Sequence, residues 1–156
     1  MRPAASADIE TLVDLMGEFY AESGYVLDRE HAAQAFAALL AEPRLGRVWL
    51  VEAHAPDAGV AAAGYVVLTF AFGMEYGGLM AAIDDLYIRP AYRNRGLGGA
   101  ALIEVRERCA KLGVRAIGVE VDAGNDAARA VYRRTGFVAT DRLLMTLRLA
   151  DPTYVE

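Results

Sequence analysis

The chain has 156 residues, is 55% apolar and carries a net charge of −5. That is enough for one domain with a real core, too little to expect two, and too apolar for a disordered polymer. No window approaches the roughly 20 uninterrupted apolar residues of a membrane span, and Met1-Arg2-Pro3 lacks the apolar run of a signal peptide.

The expectation is therefore one cytoplasmic domain over residues 1–156, away from membranes. The single cysteine, Cys109, excludes an internal disulfide or a cysteine-rich metal site, so no metal is expected. Basic residues are scattered or gathered around Arg93, Arg95 and the Arg129 to Arg134 segment, with no long stripe. This disfavours nucleic acid and favours a cationic small molecule as partner.

Residues 2–4 suit a short strand, and Ser6 offers an N-cap for a helix to about residue 21, with Ile9, Leu12, Met16 and Phe19 at helical spacing. Asp28 caps a second helix with Ala32, Phe36, Leu39 and Leu40 on its apolar face, ended by Glu42-Pro43. Residues 46–53 and 60–72 read as a hairpin, with Val48 and Leu50 on one face and Trp49 and Val51 on the other. Residues 79–88 return as a strand.

Pro90 cannot continue a central strand, so a turn falls between Arg89 and Gly96. The helix that follows carries Gly98, Leu102, Val105, Cys109 and Leu112 on one stripe, which makes Cys109 a packed thiol, and Gly113 closes it. Residues 116–121 form a fifth strand, residues 127–135 a fourth helix closed by Gly136, and residues 137–149 a last strand. The strand-helix-strand passage requires a parallel pair with a right-handed crossover. The class is α/β (α+β): a mixed sheet with helices on both faces.

Chemistry concentrates at Arg93-Asn94-Arg95-Gly96-Leu97-Gly98-Gly99. Amides at a helix start lack intrahelical partners, the helix dipole adds positive charge, and glycines let a phosphate approach the backbone. A Walker loop would need Lys-Ser/Thr where Gly99 and Ala100 stand, and the glycine spacing is wrong for a dinucleotide fold.

The spacing Arg93-x-x-Gly96-x-Gly98 after Leu86-Tyr87-Ile88 resembles the acetyl-CoA pyrophosphate loop of the GNAT superfamily of N-acetyltransferases. A second stretch, Asn125-x-x-Ala128-x-x-x-Tyr132 ending in Gly136-Phe137, is similar to the family's other signature. The resemblance implies a mostly antiparallel sheet with one parallel pair that splays apart to admit acetyl-CoA. Leu86, Tyr87 and Ile88 would pair with the pantetheine arm, Arg93, Asn94, Arg95, Gly96, Leu97, Gly98 and Gly99 would wrap the pyrophosphate, and Asn125 with Ala128 would hold the arm. Asn94 stands where many relatives have glycine, but Asn tolerates the left-handed region.

The resemblance further implies direct attack by an amine on the thioester, with the Ile88 N–H stabilising the oxyanion and Tyr132 protonating the leaving sulfur. A packed core tyrosine is the plain alternative. Asp84 and Asp85 are the candidate bases, Asp84 being preferred because the first acidic residue is the usual contact in relatives. In a regular strand their side chains face opposite ways, so one alone could line the cleft, leaving the other to pair with Arg89 or Arg93.

Glu22, Tyr25, Glu75 and Tyr76 lie in the segments that shape the family's acceptor pocket, and with Asp84 they suit a small cationic amine of the polyamine kind. His31 and His54 stand alone and read as solvent-facing. A protein acceptor, or an acyl-CoA-binding regulator without transfer activity, are the competing readings. A homodimer is expected from family habit and the apolar last strand.

Overall fold

The computed structural model describes residues 1–55, 59–147 and 149. Its elements are β1 (Arg2–Pro3), α1 (Ile9–Glu22), α2 (Arg29–Ala41), β2 (Gly46–Ala55), β3 (Gly59–Gly73), β4 (Gly78–Ile88), α3 (Leu97–Lys111), β5 (Ala116–Val119) and α4 (Asp126–Arg134). The sheet runs β1-β2-β3-β4-β5, antiparallel except for the parallel β4–β5 pair. This is the mixed sheet expected from the chain order.

Alternation along the strands divides the core into two layers. Trp49, Val51, Val66, Leu68 and Ile83 pack under α3 and α4 against Leu102, Val105, Cys109 and Tyr132. On the other face Val48, Leu50, Tyr65, Val67 and Tyr87 pack against Leu12, Leu15 and Phe36 of α1 and α2. Asp28 caps α2 as expected, its Oδ1 accepting from the His31 N–H at 3.0 Å.

Three expectations are corrected. Ser6 opens a 3₁₀ turn instead of capping α1, and Asp8 satisfies that turn by accepting from the Ala5 N–H. Leu112 leaves the α3 stripe and is 44% exposed, because the helix has ended there. The described part of residues 137–149 forms no strand. There Leu143, Met145, Leu147 and Leu149 alternate in the sequence but stand exposed, and no strand pairs with the outer edge of β5 among the described residues.

Candidate active site

β4 leaves the sheet into a short 3₁₀ turn from Pro90 to Tyr92. Asn94 then adopts φ 60°, the left-handed conformation expected of it, and Gly96 at φ 79° starts α3. A Cβ built at Gly96, Gly98 or Gly99 would meet no atom within 4 Å. Packing within the protein therefore does not call for glycine at Gly98 or Gly99, and the bare first turn of a 15-residue helix opens on free space. That suits a pyrophosphate brought up to the amides of Leu97, Gly98 and Gly99.

The two arginines beside the turn differ. Arg95 stacks over Tyr92 at 5.5 Å. Arg93 is folded back along the protein surface: its Nε donates to the Ile88 carbonyl at 2.8 Å, its Nη2 to Glu22 at 2.6 Å, and its guanidinium lies 5.6 Å over the Tyr87 ring. Glu22 also accepts from the Tyr87 hydroxyl at 2.9 Å. Glu22, expected in the acceptor pocket, thus ties the end of α1 to the start of the glycine turn.

The parallel pairing of β4 with β5 stops at Ile83 opposite Val119. From Asp84 to Ile88 the β4 backbone has β3 on one side alone. The Arg89 N–H donates to Ala63 of β3, so by alternation the Ile88 N–H faces the opened gap, as does its carbonyl, which also accepts from Arg93. Leu86 and Ile88 turn their side chains to the α3 layer and Tyr87 turns its ring to the α1 layer. These are the backbone groups that an extended amide arm would meet, so the residues present fit acetyl-CoA.

The acid pair departs from a regular strand. Leu68 pairs with Ile83 and Val67 with Asp85, which leaves Asp84 as one extra residue on β4. Such a bulge lets two successive side chains face the same way. Asp84 and Asp85 accordingly both line a recess of about 90 Å³ under α1 and α2, where the regular alternation had allowed one. Neither pairs with the arginines: Arg89 goes to Glu18 and Arg93 to Glu22.

Within the pair the roles separate. Asp84 is exposed and makes no hydrogen bond or ion pair among the described residues. Asp85 accepts from the Tyr65 hydroxyl at 2.8 Å, and Tyr65 is fully buried. Burial pushes the Asp85 carboxyl up to about 6, with the Tyr65 hydrogen bond opposing and the charge of Asp84 adding. Tyr65 had no signal in the sequence beyond a strand position, because its role comes from the register with β4.

Tyr132 sits in the other layer, 9% exposed, with its ring edge-on to Phe137 at 5.4 Å. Burial and then the charge of Asp85 push its hydroxyl up to about 12. That hydroxyl makes no hydrogen bond among the described residues, yet is not a buried unsatisfied atom, so it reaches accessible space. Tyr132 thus feels the charge of Asp85 although the two belong to opposite layers of the sheet.

The remaining candidates are dispersed. Asn125 caps α4, its Oδ1 accepting from the Ala128 N–H at 3.0 Å, which leaves its amide nitrogen for a ligand. Tyr25 is exposed beside Tyr20 in the α1–α2 connection. Glu75 and Tyr76 are not brought to the acid pair: they lie at the β3–β4 tip, about 20 Å of strand from Asp84, and Glu75 pairs with Arg142. No group of three or more His, Cys, Asp or Glu side chains among the described residues could hold a metal ion. No described helix is long and apolar enough to cross a membrane.

The family model described as "Acetyltransferase (GNAT) family" matches residues 10–137. The chain belongs to the GNAT acetyltransferase family. No curated protein matches the sequence. Among solved structures it is similar to an integron cassette protein from the mobile metagenome of Cole Harbour salt marsh, at 45% identity and TM-score 0.84, covering 97% of this chain and 91% of that one.

The fold is shared with a predicted acetyltransferase of Clostridium acetobutylicum solved with acetyl-CoA, at 20% identity and TM-score 0.76, covering 94% of each chain. It is shared also with a transcriptional regulator of Bacillus halodurans, at 18% identity and TM-score 0.76, covering 94% of this chain and 97% of that one.

Proposed function

We propose that the chain is an N-acetyltransferase that moves the acetyl group of acetyl-CoA to a primary amine of a small molecule. The observation that carries this is the pairing of two carboxylates on one side of the opened β4–β5 gap with an accessible tyrosine hydroxyl on the other that hydrogen-bonds to none of the described residues. Acetyl-CoA supplies an acetyl thioester; the chain's own groups do the rest.

An amine reaches the site as an ammonium, and Asp85, a better base than an ordinary carboxylate, takes its proton directly or through a water. Asp84 holds the positive charge at the mouth. As the N–C bond forms and the C–S bond breaks, the Ile88 N–H would face the acyl oxygen and Tyr132 would give its proton to the departing sulfur, while the second proton that the nitrogen sheds on becoming an amide returns to the phenolate directly or through water. Asp85 is the favoured base in this reading in place of Asp84, since the two carboxylates line the recess together and Asp85 alone is half-buried and held by Tyr65. In this reading the protein acts as a homodimer, for which the β5 edge that no described strand pairs with and the exposed Leu143, Met145, Leu147 and Leu149 provide material.

The test is free-thiol release from acetyl-CoA across amines, peptides and aminoglycosides, repeated with Tyr132→Phe. Amine-dependent release that drops at least about 100-fold in Tyr132→Phe with coenzyme A binding kept supports the reading. Coenzyme A binding without release in the unmodified protein would point to a regulator, and release confined to peptides would point to a protein acceptor.

A further inference from the structure

The recess beside the acid pair describes the acceptor's body as well as its charge. Its walls are Met16 of α1, Ala32, Ala35, Phe36 and Leu39 of α2, and Val67 of β3; Asp84 and Asp85 are its polar members. The charged residues on the outer sides of α1 and α2 engage one another, Arg29 with Asp14 and Glu10, and do not line it. An ammonium at the carboxylates is matched, but a second cation further in would lose its water against apolar walls with no partner.

The size narrows the class. About 90 Å³ is well under the roughly 150 Å³ that encloses a benzene ring, and fits a chain of about three to five carbons, with Ala35 exposed at the rim. Asp85 belongs both to this recess and to the part of β4 beyond its last pairing with β5, so an amine seated there lies beside the gap.

We propose that the acceptor is a primary monoamine with a short apolar chain, its amino group held by Asp84 and Asp85 and its chain seated between α1 and α2. This rests on the N-acetyltransferase reading and replaces the polyamine-like acceptor expected from the sequence with an aliphatic monoamine. The groups facing Asp85 are Tyr65 from β3 and Asp84 from β4; the recess residues of α1 and α2 do not titrate.

The experiment compares kcat/KM for methylamine, n-butylamine, n-pentylamine and 1,4-diaminobutane, the last being n-pentylamine with its terminal methyl replaced by a second ammonium. Calorimetry measures n-pentylamine binding to the coenzyme A complex in parallel. Expected are a rise of about three- to fourfold per methylene up to the length the recess accepts, and at least a tenfold preference for n-pentylamine over the diamine. Ala35→Leu, an exposed helix position that tolerates leucine, should flatten the chain-length series and weaken n-pentylamine binding.

Equal or better use of the diamine overturns the inference and leaves N-acetyl transfer standing. A chain-length preference that survives Ala35→Leu overturns the recess as its seat. Binding of n-pentylamine that Ala35→Leu weakens, with no thiol release from any amine, keeps the recess and overturns the transferase reading. Absence of both binding and release overturns the inference outright.

Discussion

The layer under α3 and α4 and the layer under α1 and α2 share one sheet but not one chemistry. The first buries Trp49, Leu68, Ile83, Leu102 and Val105, with the Tyr132 ring among them and its hydroxyl at accessible space. The second buries Tyr65 and Tyr87 in full, and each hydroxyl there donates to a carboxylate, Tyr65 to Asp85 and Tyr87 to Glu22. Polar groups survive burial where partners meet them, so the α1–α2 layer can hold a carboxylate in an apolar setting and keep its position fixed. The α3–α4 layer instead leaves one hydroxyl unengaged. In the proposed reaction the fixed carboxylate receives a proton and the unengaged phenol releases one.

Asp85→Asn should break that division most severely. Without the carboxylate, kcat/KM should fall about 10²- to 10⁴-fold. In the unmodified protein, activity should rise as pH passes about 6 and the carboxyl loses its proton, and this limb should vanish in the variant. Stability should move the other way. The folded carboxyl binds its proton more tightly than the unfolded one, so its ionisation destabilises the fold progressively between pH 4 and 6. Above pH 6 the Asn variant should be more stable by up to about 3 kcal/mol, measured by urea unfolding.

Leu102→Ala tests the dry layer. It removes a side chain 3% exposed in the middle of the α3 stripe and should cost about 2–5 kcal/mol in the same unfolding experiment. A loss well under 1 kcal/mol would mean that α3 packs on the sheet more loosely than its buried stripe implies.

The smallest effect sharpens the comparison. Tyr65→Phe keeps the ring and deletes the hydroxyl that holds the Asp85 carboxyl down. The acid limb of kcat/KM should then move to higher pH by about one unit or less, with activity recovered by pH 8. An unmoved limb would show that Asp85 is not the titrating base.

The element order, the parallel crossover and both apolar layers were legible from periodicity, because alternation on β2 and the stripe on α3 follow directly from burial. The glycine turn was legible down to the left-handed Asn94. The site's acid pair was legible in composition but not in geometry. The alternation rule separates Asp84 from Asp85, and no local signal marks the bulge, which exists through the pairing of β4 with Leu68 and Val67.

The partners of Arg89 and Arg93 were hidden for a similar reason: Glu18 and Glu22 lie 71 positions away and meet them through the packing of α1 on β4. Glu75 and Tyr76 looked like pocket residues by their place in the chain, yet strand length carries them to the far end of the sheet. The last strand failed because alternation of Leu143, Met145, Leu147 and Leu149 describes a face that needs a partner, and the described fold places none against it.

The extra residue at Asp84 has a consequence for how such a site arises. With Asp84 left out, Ile83, Asp85, Leu86, Tyr87 and Ile88 would follow one another opposite Leu68, Val67, Val66, Tyr65 and Gly64, each already facing its proper layer. The whole sheet would survive with every other partnership unchanged. One codon, gained or lost in frame, therefore separates a plain strand bearing a lone acid from a doubled anionic seat, so the acceptor preferences of closely related chains can diverge without any drift of the scaffold beneath them.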